Sequence, residues 1–238
     1  MKKAVWNILL VICICVMAFS GWKLYGYFHS YKQAEDEYEE ISKQAVKVKR
    51  KKRTIDFEKL KKINPEIIGW IYVKGTRINY PIVQGKDNEE YLHKTFKGTK
   101  NSSGAIFMDQ DGSKDFDGEQ NIIYGHHMKN GSMFADLLKF RESSFVKEHN
   151  EIILYTPKKE IRLKVFAAYA KKADEKVPIS FGNAKNRLEY IYEITNRSEI
   201  ESGLSQKQLK KIDRIYTLIT CSYEGEDHRT YVHAVEEN

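Results

Sequence analysis

From Gly69 onward, the chain alternates short runs of β-branched and aromatic residues with Gly, Asn and Asp, and this pattern restricts the fold more than any other feature. Brief helices are predicted at Phe57–Ile63, Met133–Phe140 and Ala184–Glu193. We therefore expect a mainly β fold with helical insertions, either a barrel or a sandwich. The eight predicted strands are Trp70–Val73, Tyr80–Val83, Ala105–Met108, Asn121–Tyr124, Ile152–Thr156, Arg162–Ala170, Arg214–Cys221 and Arg229–Val235.

The N-terminal region has a different composition. Residues 4–22 are uncharged and mostly aliphatic, which is long enough to cross a bilayer, and Lys2 and Lys3 before them favour a cytoplasmic N-terminus. A cleaved signal peptide shares these two features, but here the apolar run is long and aromatic residues follow it instead of a small-residue cleavage site. We predict that residues 1–27 form a cytoplasmic tip and a single-pass plasma-membrane anchor, with the rest of the chain outside.

Residues 28–56 are predicted to form a juxtamembrane helical stalk, followed by the main domain at 57–238. The segment Ser30–Arg53 contains no Gly or Pro, and its charge changes from acidic to basic along its length. It is either a free stalk or a helix packed on the domain. Its basic end either contacts anionic wall polymers and headgroups or is a solvated helix face.

The formal net charge of +7 raises the question of a nucleic-acid partner. Residues 1–27 contribute +3 and residues 28–53 a further +3. Only +1 is left for residues 54–238, which is too little for a surface that binds a phosphate backbone. We predict no nucleic-acid partner.

Cys221 is a candidate nucleophile because it is the single cysteine outside the apolar run, which holds Cys13 and Cys15. It ends a β-forming run, a polar segment with Gly follows, and a second β run starts at Arg229. This pattern predicts a hairpin that brings Arg229 beside Cys221. A guanidinium at that place could stabilise an oxyanion.

A cysteine thiol with an ordinary pKa needs a neighbouring histidine or cation to become an efficient nucleophile. A predicted strand ends at Gly125, and His126 and His127 follow it. Adjacent side chains of an extended chain face opposite sides, so one of the two histidines faces Cys221, and the physical argument does not choose between them.

Adjacent histidines lack the ligand spacing of a metal site, and no phosphate-binding Gly loop is present. We predict no metal and no cofactor. The other histidines considered, expected to be surface or hydrogen-bonded core residues, are His29, His93, His149 and His233.

From about Phe57 to the C-terminus, the sequence resembles the class B sortases. This resemblance implies an eight-stranded sortase-type β-barrel with an N-terminal helix, and catalysis without a metal. The segments that carry it are Ile68–Ile71, Asn79–Gly85, Gly104–Asp109, Tyr124–Met128 and Thr217–Cys221.

The resemblance also implies the roles of the candidate residues. The family takes the histidine directly after Gly as catalytic, which here is His126. Cys221 would attack the Thr carbonyl of a C-terminal pentapeptide sorting signal on a surface protein, and Arg229 would orient the peptide and stabilise the oxyanion. A peptidoglycan amine on a lipid-linked precursor, rather than water, would resolve the thioester.

Candidate substrate-contacting residues follow from the same resemblance. Asn88 and Leu92 match positions near the binding groove, although loop capping and core packing explain them equally well. Val177 and Ile179 are candidates for an apolar groove wall, and Thr220 for a contact beside the nucleophile. The acidic residues between Cys221 and Arg229 either shape signal selection or are ordinary solvated loop residues: Glu224, Glu226 and Asp227.

Two alternatives to a transpeptidase remain open. A cysteine peptidase would use the same Cys and His with water as the acceptor. A catalytically silent surface-binding module could keep the fold, but the presence of Cys221, His126 and Arg229 together argues against it.

Overall fold

The computed structural model describes residues 2–49, 52–173, 176–221 and 228–237. Helices within this part are α1 (Lys2–Ala45), α2 (Phe57–Ile63), α3 (Ser143–Glu148), α4 (Ala184–Arg197) and α5 (Gln206–Leu209), with 3-10 helices at Glu90–Leu92 and Ala135–Arg141. The strands are β1 (Val46–Lys49), β2 (Lys52–Ile55), β3 (Ile67–Val73), β4 (Asn79–Val83), β5 (Ile106–Met108), β6 (Gln120–Tyr124), β7 (Glu151–Tyr155), β8 (Glu160–Lys172), β9 (Ile215–Cys221) and β10 (His228–Glu236).

Eight of the strands close into a barrel in the order β10-β8-β7-β3-β4-β5-β6-β9. The β4–β5 and β6–β9 pairs are parallel and the other pairs are antiparallel. All eight predicted strands are therefore confirmed, and the fold is the barrel rather than the sandwich.

Strand β9 is buried on both of its faces, which explains why its sequence is almost continuously apolar. Tyr216 and Leu218 belong to the cluster that fills the barrel. Ile215 and Ile219, which alternate with them, belong to a second cluster outside the barrel wall, together with Ile191 of α4. Helix α4 thus covers the outer face of the strands that lead to the candidate site.

Helix α1 combines an exposed apolar half with a packed half. Its N-terminal part contains an apolar stretch long enough to cross a membrane, by length and composition, and none of that stretch is buried in the protein. Its C-terminal part packs on the barrel core through Tyr38, Ile41 and Ala45. The hydroxyl of Tyr38 donates a hydrogen bond to the carbonyl of Gly104 at 2.7 Å. Of the two sequence interpretations, the packed helix is the one observed.

The helix predicted to continue to Arg53 ends at Ala45 instead, and β1 and β2 form an antiparallel hairpin. A helix through this lysine-rich run would place like charges one turn apart, which is unfavourable, whereas alternating valines suit a strand. The hairpin is fixed to the barrel by Arg53, whose guanidinium lies 3.8 Å from the ring centroid of Tyr72 and donates to Asn79 Oδ1 at 3.2 Å.

Two other predicted helices differ from the sequence interpretation at their ends. The segment expected at Met133–Phe140 is a 3-10 helix that begins at Ala135. Met133 has a φ of 57°, which lies outside the right-handed helical region. Helix α4 continues four residues beyond the expected Glu193, to Arg197.

Candidate active site

Three neighbouring strands bring the candidate residues to one rim of the barrel. Because β6 runs parallel to β9 and β10 runs antiparallel to it, the ends of β6 and β9 lie beside the start of β10. Cys221 is the last residue of β9, and Arg229 pairs directly with it in the β9–β10 register. The predicted hairpin is confirmed. The description of Cys221 covers its backbone, and Glu224, Glu226 and Asp227 lie outside the described residues.

His126 reaches the same rim from β6. Tyr124 pairs with Ile219, and the Gly125 amide donates to the Ile219 carbonyl at 3.1 Å, so the parallel register extends to the end of the strand. His126 and Cys221 each follow this Tyr124–Ile219 pair by two residues. Chain positions 221 and 229 therefore lie on adjacent strands, and position 126 follows the end of the third strand at about the same level.

Gly125 is required by the space at the end of β6. A Cβ atom there would lie 2.4 Å from Cδ1 of Ile106 and 2.7 Å from Cδ2 of Phe134, which are closer than carbon atoms can approach. The backbone amide of Phe134 also donates to the His126 carbonyl at 2.9 Å. The Gly-His step of the sequence thus lets the chain pass tightly over the barrel core and deliver His126 to the rim.

The imidazole of His126 is held through one nitrogen. Its Nε2 lies 2.7 Å from the carbonyl oxygen of Leu92. Because a carbonyl only accepts, Nε2 carries the proton, and Nδ1 is the lone-pair nitrogen of the neutral ring. Burial lowers the pKa of His126, the positive charge of a protonated His93 lowers it further, and the bond to Leu92 opposes both effects.

His93 is a neighbour that the sequence analysis missed. Its ring lies stacked over that of His126, with 6.5 Å between the centroids. His127, by contrast, forms an isolated antiparallel bridge with Met133 as the chain turns away. Nothing in the local sequence around His93 marks it, because it comes from a separate loop.

The side chain of Asn88 forms hydrogen bonds with residues of a neighbouring loop. Its side-chain amide donates to Asp109 Oδ2 at 3.0 Å and accepts from the Gln110 backbone amide at 2.8 Å. The hydroxyl of Tyr124 donates to the same Asp109 oxygen at 3.0 Å. Burial and the Asp109 carboxylate raise the pKa of Tyr124, and the positive charge of Arg229 opposes this. Asp109 and Tyr124, which were not predicted, thus connect the Asn88 loop to the end of β6.

The other predicted contacts occupy different environments. Leu92 is half-buried against the inner core, and its carbonyl is the group that meets His126. Val177 and Ile179 are half-buried against the outer cluster under α4. Thr220 is 2% exposed and pairs with Thr230 across β9 and β10. The structure therefore brings Leu92 to His126 directly and leaves Val177 and Ile179 on the outer face of the same strands.

A buried hydrogen-bond network crosses four strands beneath the rim. Gln120 of β6 donates to the Thr217 hydroxyl at 2.8 Å, and that hydroxyl lies 2.9 Å from His233 Nδ1. His233 Nε2 lies 3.1 Å from the Tyr169 hydroxyl. The network links β6, β9, β10 and β8.

A large cleft of the described surface lies elsewhere. It measures about 790 Å³ and is bordered by Glu119, Arg214 and Glu236, at the start of β9 and the end of β10. This is the opposite end of β9 from Cys221. Size alone would therefore misplace the site, and the strand register is the better guide.

Comparison with known proteins identifies the family of the chain. A sortase-domain family model matches residues 71–237. The sortase B of Listeria monocytogenes is 32% identical over 222 residues, covering 91% of this chain and 89% of that protein. The crystal structure of Clostridium perfringens sortase B is 34% identical with a TM-score of 0.71, covering 76% of this chain and 100% of that one. A Staphylococcus aureus sortase B–substrate complex is 30% identical with a TM-score of 0.76, covering 88% and 98%.

The closed barrel and these relatives define a cysteine transpeptidase. More specifically, the chain belongs to the sortase family, and its relatives place it in class B.

Proposed function

We propose that this class B sortase cleaves a C-terminal sorting signal after Thr and transfers the protein to an amine of peptidoglycan. The observation that carries the proposal is the register at the rim, where Arg229 pairs with Cys221 and His126 follows the end of the neighbouring strand β6 by two residues. Nucleophile, oxyanion donor and proton carrier would then lie on three adjacent strands of a rigid barrel. Fixed strands supply the pre-organisation that acyl transfer requires.

In the first half of the reaction, the neutral His126 ring takes the proton of the Cys221 thiol at Nδ1, and the thiolate formed in this way attacks the carbonyl carbon of the Thr residue. The electron pair moves to the carbonyl oxygen, and the guanidinium of Arg229 stabilises this oxyanion. When the tetrahedral intermediate collapses, the C–N bond breaks and a protonated His126 gives its proton to the leaving amine. The product is a thioester between Cys221 and the Thr acyl group.

In the second half, a peptidoglycan amine attacks the thioester. His126, now neutral, takes a proton from the attacking nitrogen, and the C–S bond breaks to release the thiolate. The new amide joins the surface protein to the wall. Water in place of the amine would give hydrolysis, which is the peptidase alternative.

The contact between His126 and Leu92 assigns the proton transfers to one ring nitrogen. Nε2 is occupied by the Leu92 carbonyl, so Nδ1 is the nitrogen that accepts and donates the proton. The lowered pKa of His126 keeps the resting ring largely neutral at neutral pH, because burial disfavours its charged form.

The same proposal includes the location and the domain organisation. Residues 1–27 would anchor the chain in the plasma membrane with the N-terminus inside, residues 28–56 would lie next to the membrane, and residues 57–238 would act on the outer face. The apolar half of α1 supports this arrangement. An anchored enzyme is concentrated with exported proteins and with a lipid-linked precursor, which raises their effective concentration.

Substrate recognition is proposed at the previously predicted positions. Val177 and Ile179 would form an apolar wall under α4, on the outer face of β9 and β10. Leu92 and Thr220 would contribute beside His126 and Cys221, and Asn88 would act through its loop. Replacing Val177 and Ile179 with Ser should raise KM for a sorting peptide while kcat changes less.

The test uses the full chain in detergent micelles with a fluorogenic library of sorting-type pentapeptides. Reactions run with and without an oligoglycine or diamine acceptor, alongside Cys221→Ala. We expect cleavage at the Thr bond, an acceptor-linked product, and loss of both in Cys221→Ala. Cleavage without acceptor-linked product would favour the peptidase. No cleavage of any library member would favour the silent module.

A further inference from the structure

A cleft of about 570 Å³ lies between α1 and the loop of residues 93–102. One wall comes from the first turns after the apolar stretch of α1. The other wall comes from the loop whose first residue, His93, stacks over His126. The lining residues that matter here are Trp22, Lys23, Tyr27, His93, Lys100 and Asn101.

The charged side chains that line this cleft are positive. Lys23 and Lys100 contribute ammonium groups, and the lining contains no carboxylate. Among the described residues, neither of these two lysines pairs with an acidic side chain, whereas Lys94 and Lys97 of the same loop pair with Glu90 and Glu40. The cleft therefore presents positive charge that the described part of the protein does not neutralise.

The height of the cleft along α1 is fixed by contacts between the helix and the loop. The side-chain amide of Asn101 donates to the Ser30 carbonyl at 2.9 Å, and Tyr38 donates to Gly104 at 2.7 Å. At a rise of about 1.5 Å per residue, the helix segment from Lys23 to Ser30 lies within about 12 Å of the end of the apolar run. Trp22 is 67% exposed, as expected for an aromatic residue at a membrane interface.

We infer that this cleft binds the phosphate headgroup of an anionic membrane lipid. The inference rests on the proposed membrane anchor, which places Lys23 and Lys100 at the level of lipid phosphates. Ammonium groups attract anionic headgroups at this depth, and the aromatic side chains of Trp22 and Tyr27 pack against the glycerol or prenyl region. A zwitterionic headgroup fits less well, because its own cation competes with the lysines.

Occupation of the cleft would place a lipid phosphate beside the candidate active site. His93 lines the cleft, and its ring is 6.5 Å from that of His126. An acceptor amine carried on a phosphate-bearing lipid would therefore remain within reach of the acyl-enzyme while its phosphate stays at the membrane surface.

The experiment measures lipid binding to the full chain released from detergent micelles, by native mass spectrometry. The three probes are phosphatidylglycerol, phosphatidylcholine and a polyprenyl pyrophosphate. The double variant Lys23→Gln/Lys100→Gln is compared with Lys61→Gln/Lys62→Gln, which removes the same charge from exposed positions of α2. We expect the unaltered chain to prefer an anionic lipid over phosphatidylcholine about tenfold, the cleft variant to lose this preference, and the α2 variant to keep it.

Each result bears on the inference. Preference for both anionic lipids supports a general phosphate site, and preference for the pyrophosphate alone identifies the lipid-linked acceptor as the source. Equal binding of all three lipids, or a preference that survives in the cleft variant, overturns the inference. Transpeptidation of a soluble peptide onto a soluble amine is measured separately, so loss of the proposed function and loss of lipid binding are distinguishable.

Discussion

His126, which is half-buried, and His233, which is fully buried, lie in neighbouring regions of this barrel and differ in how their ring nitrogens are used. His126, at the rim, has a hydrogen-bond partner for Nε2 alone among the described residues. His233, in the layer beneath α4, has partners for both nitrogens, in Thr217 and Tyr169. Burial lowers the pKa of both rings, and for His233 it lowers the value to about 3.

The difference teaches that burial and a shifted pKa do not by themselves identify a catalytic histidine. A ring with both nitrogens occupied is fixed in one tautomer and has no position for a substrate proton. A ring with one nitrogen occupied is oriented by that bond and keeps the other nitrogen for chemistry. The rim is therefore expected to control activity, and the layer beneath it is expected to control stability.

The largest expected effect separates the two regions by activity. His126→Ala should lower kcat/KM by about 10² to 10⁴-fold, because general acid–base catalysis is lost, while stability falls by about 1 kcal/mol from the Leu92 contact. Peptide cleavage and urea unfolding measure the two quantities. The adjacent His127→Ala serves as the control and should keep most of the activity. Equal losses in both variants would contradict the assignment of His126.

The second prediction concerns a residue that is expected to affect stability and to have little effect on activity. His233→Ala should destabilise the protein by about 2–4 kcal/mol, because it opens a cavity and removes the hydrogen-bond partner that His233 provides to the hydroxyls of Thr217 and Tyr169. Activity of the folded fraction at 25 °C should change little. Combining it with Thr217→Val should cost less than the sum of the single variants, since both break one network. A stability loss below about 0.5 kcal/mol would show that the network is not a stabilising unit.

The contrast also shows what the sequence could supply. Each of the eight barrel strands is a local pattern, and so is the hairpin from Cys221 to Arg229, so both could be predicted from short segments. Choosing His126 over His127 required the family resemblance. The alternation of side chains along an extended chain indicated that one of these two histidines faces Cys221, but it did not show which one.

Contacts between distant segments left no local signal. His93 meets His126 from another loop, Asp109 meets Tyr124 across two strands, and Gln120 reaches His233 only through Thr217. The hairpin of β1 and β2 was missed for another reason. The absence of Gly and Pro permits a helix in this segment. It gives no information about the charge repulsion that disfavours the helix or about the packing of Arg53 on Tyr72 that favours the hairpin.

The third prediction sharpens the comparison through pH. The pKa of His233 is about 3 when folded and about 6.5 when unfolded, so below pH 6.5 the unfolded chain binds a proton that the folded chain does not. The free energy of unfolding should therefore decrease as the pH falls from about 6.5 to 3, by up to about 1.4 kcal/mol per pH unit from this residue. Urea unfolding between pH 4 and 7 measures the slope. His233→Gln should show a shallower slope, and parallel curves for the two proteins would rule out this contribution.

The smallest expected effect concerns His93, the residue whose ring stacks over His126. A protonated His93 disfavours a second positive charge on His126, so His93→Asn should raise the pKa of His126, although burial still holds it below its usual value. Because His126 must be neutral in the free enzyme to accept the proton of the Cys221 thiol, the acidic limb of the kcat/KM profile for the peptide should move to higher pH. The profile is measured with soluble peptide and amine in micelles without anionic lipid, and the matched control is His149→Asn, at a histidine that packs against Phe145. An acidic limb that stays in place or moves to lower pH would mean that the stacked ring at 6.5 Å does not act electrostatically on His126.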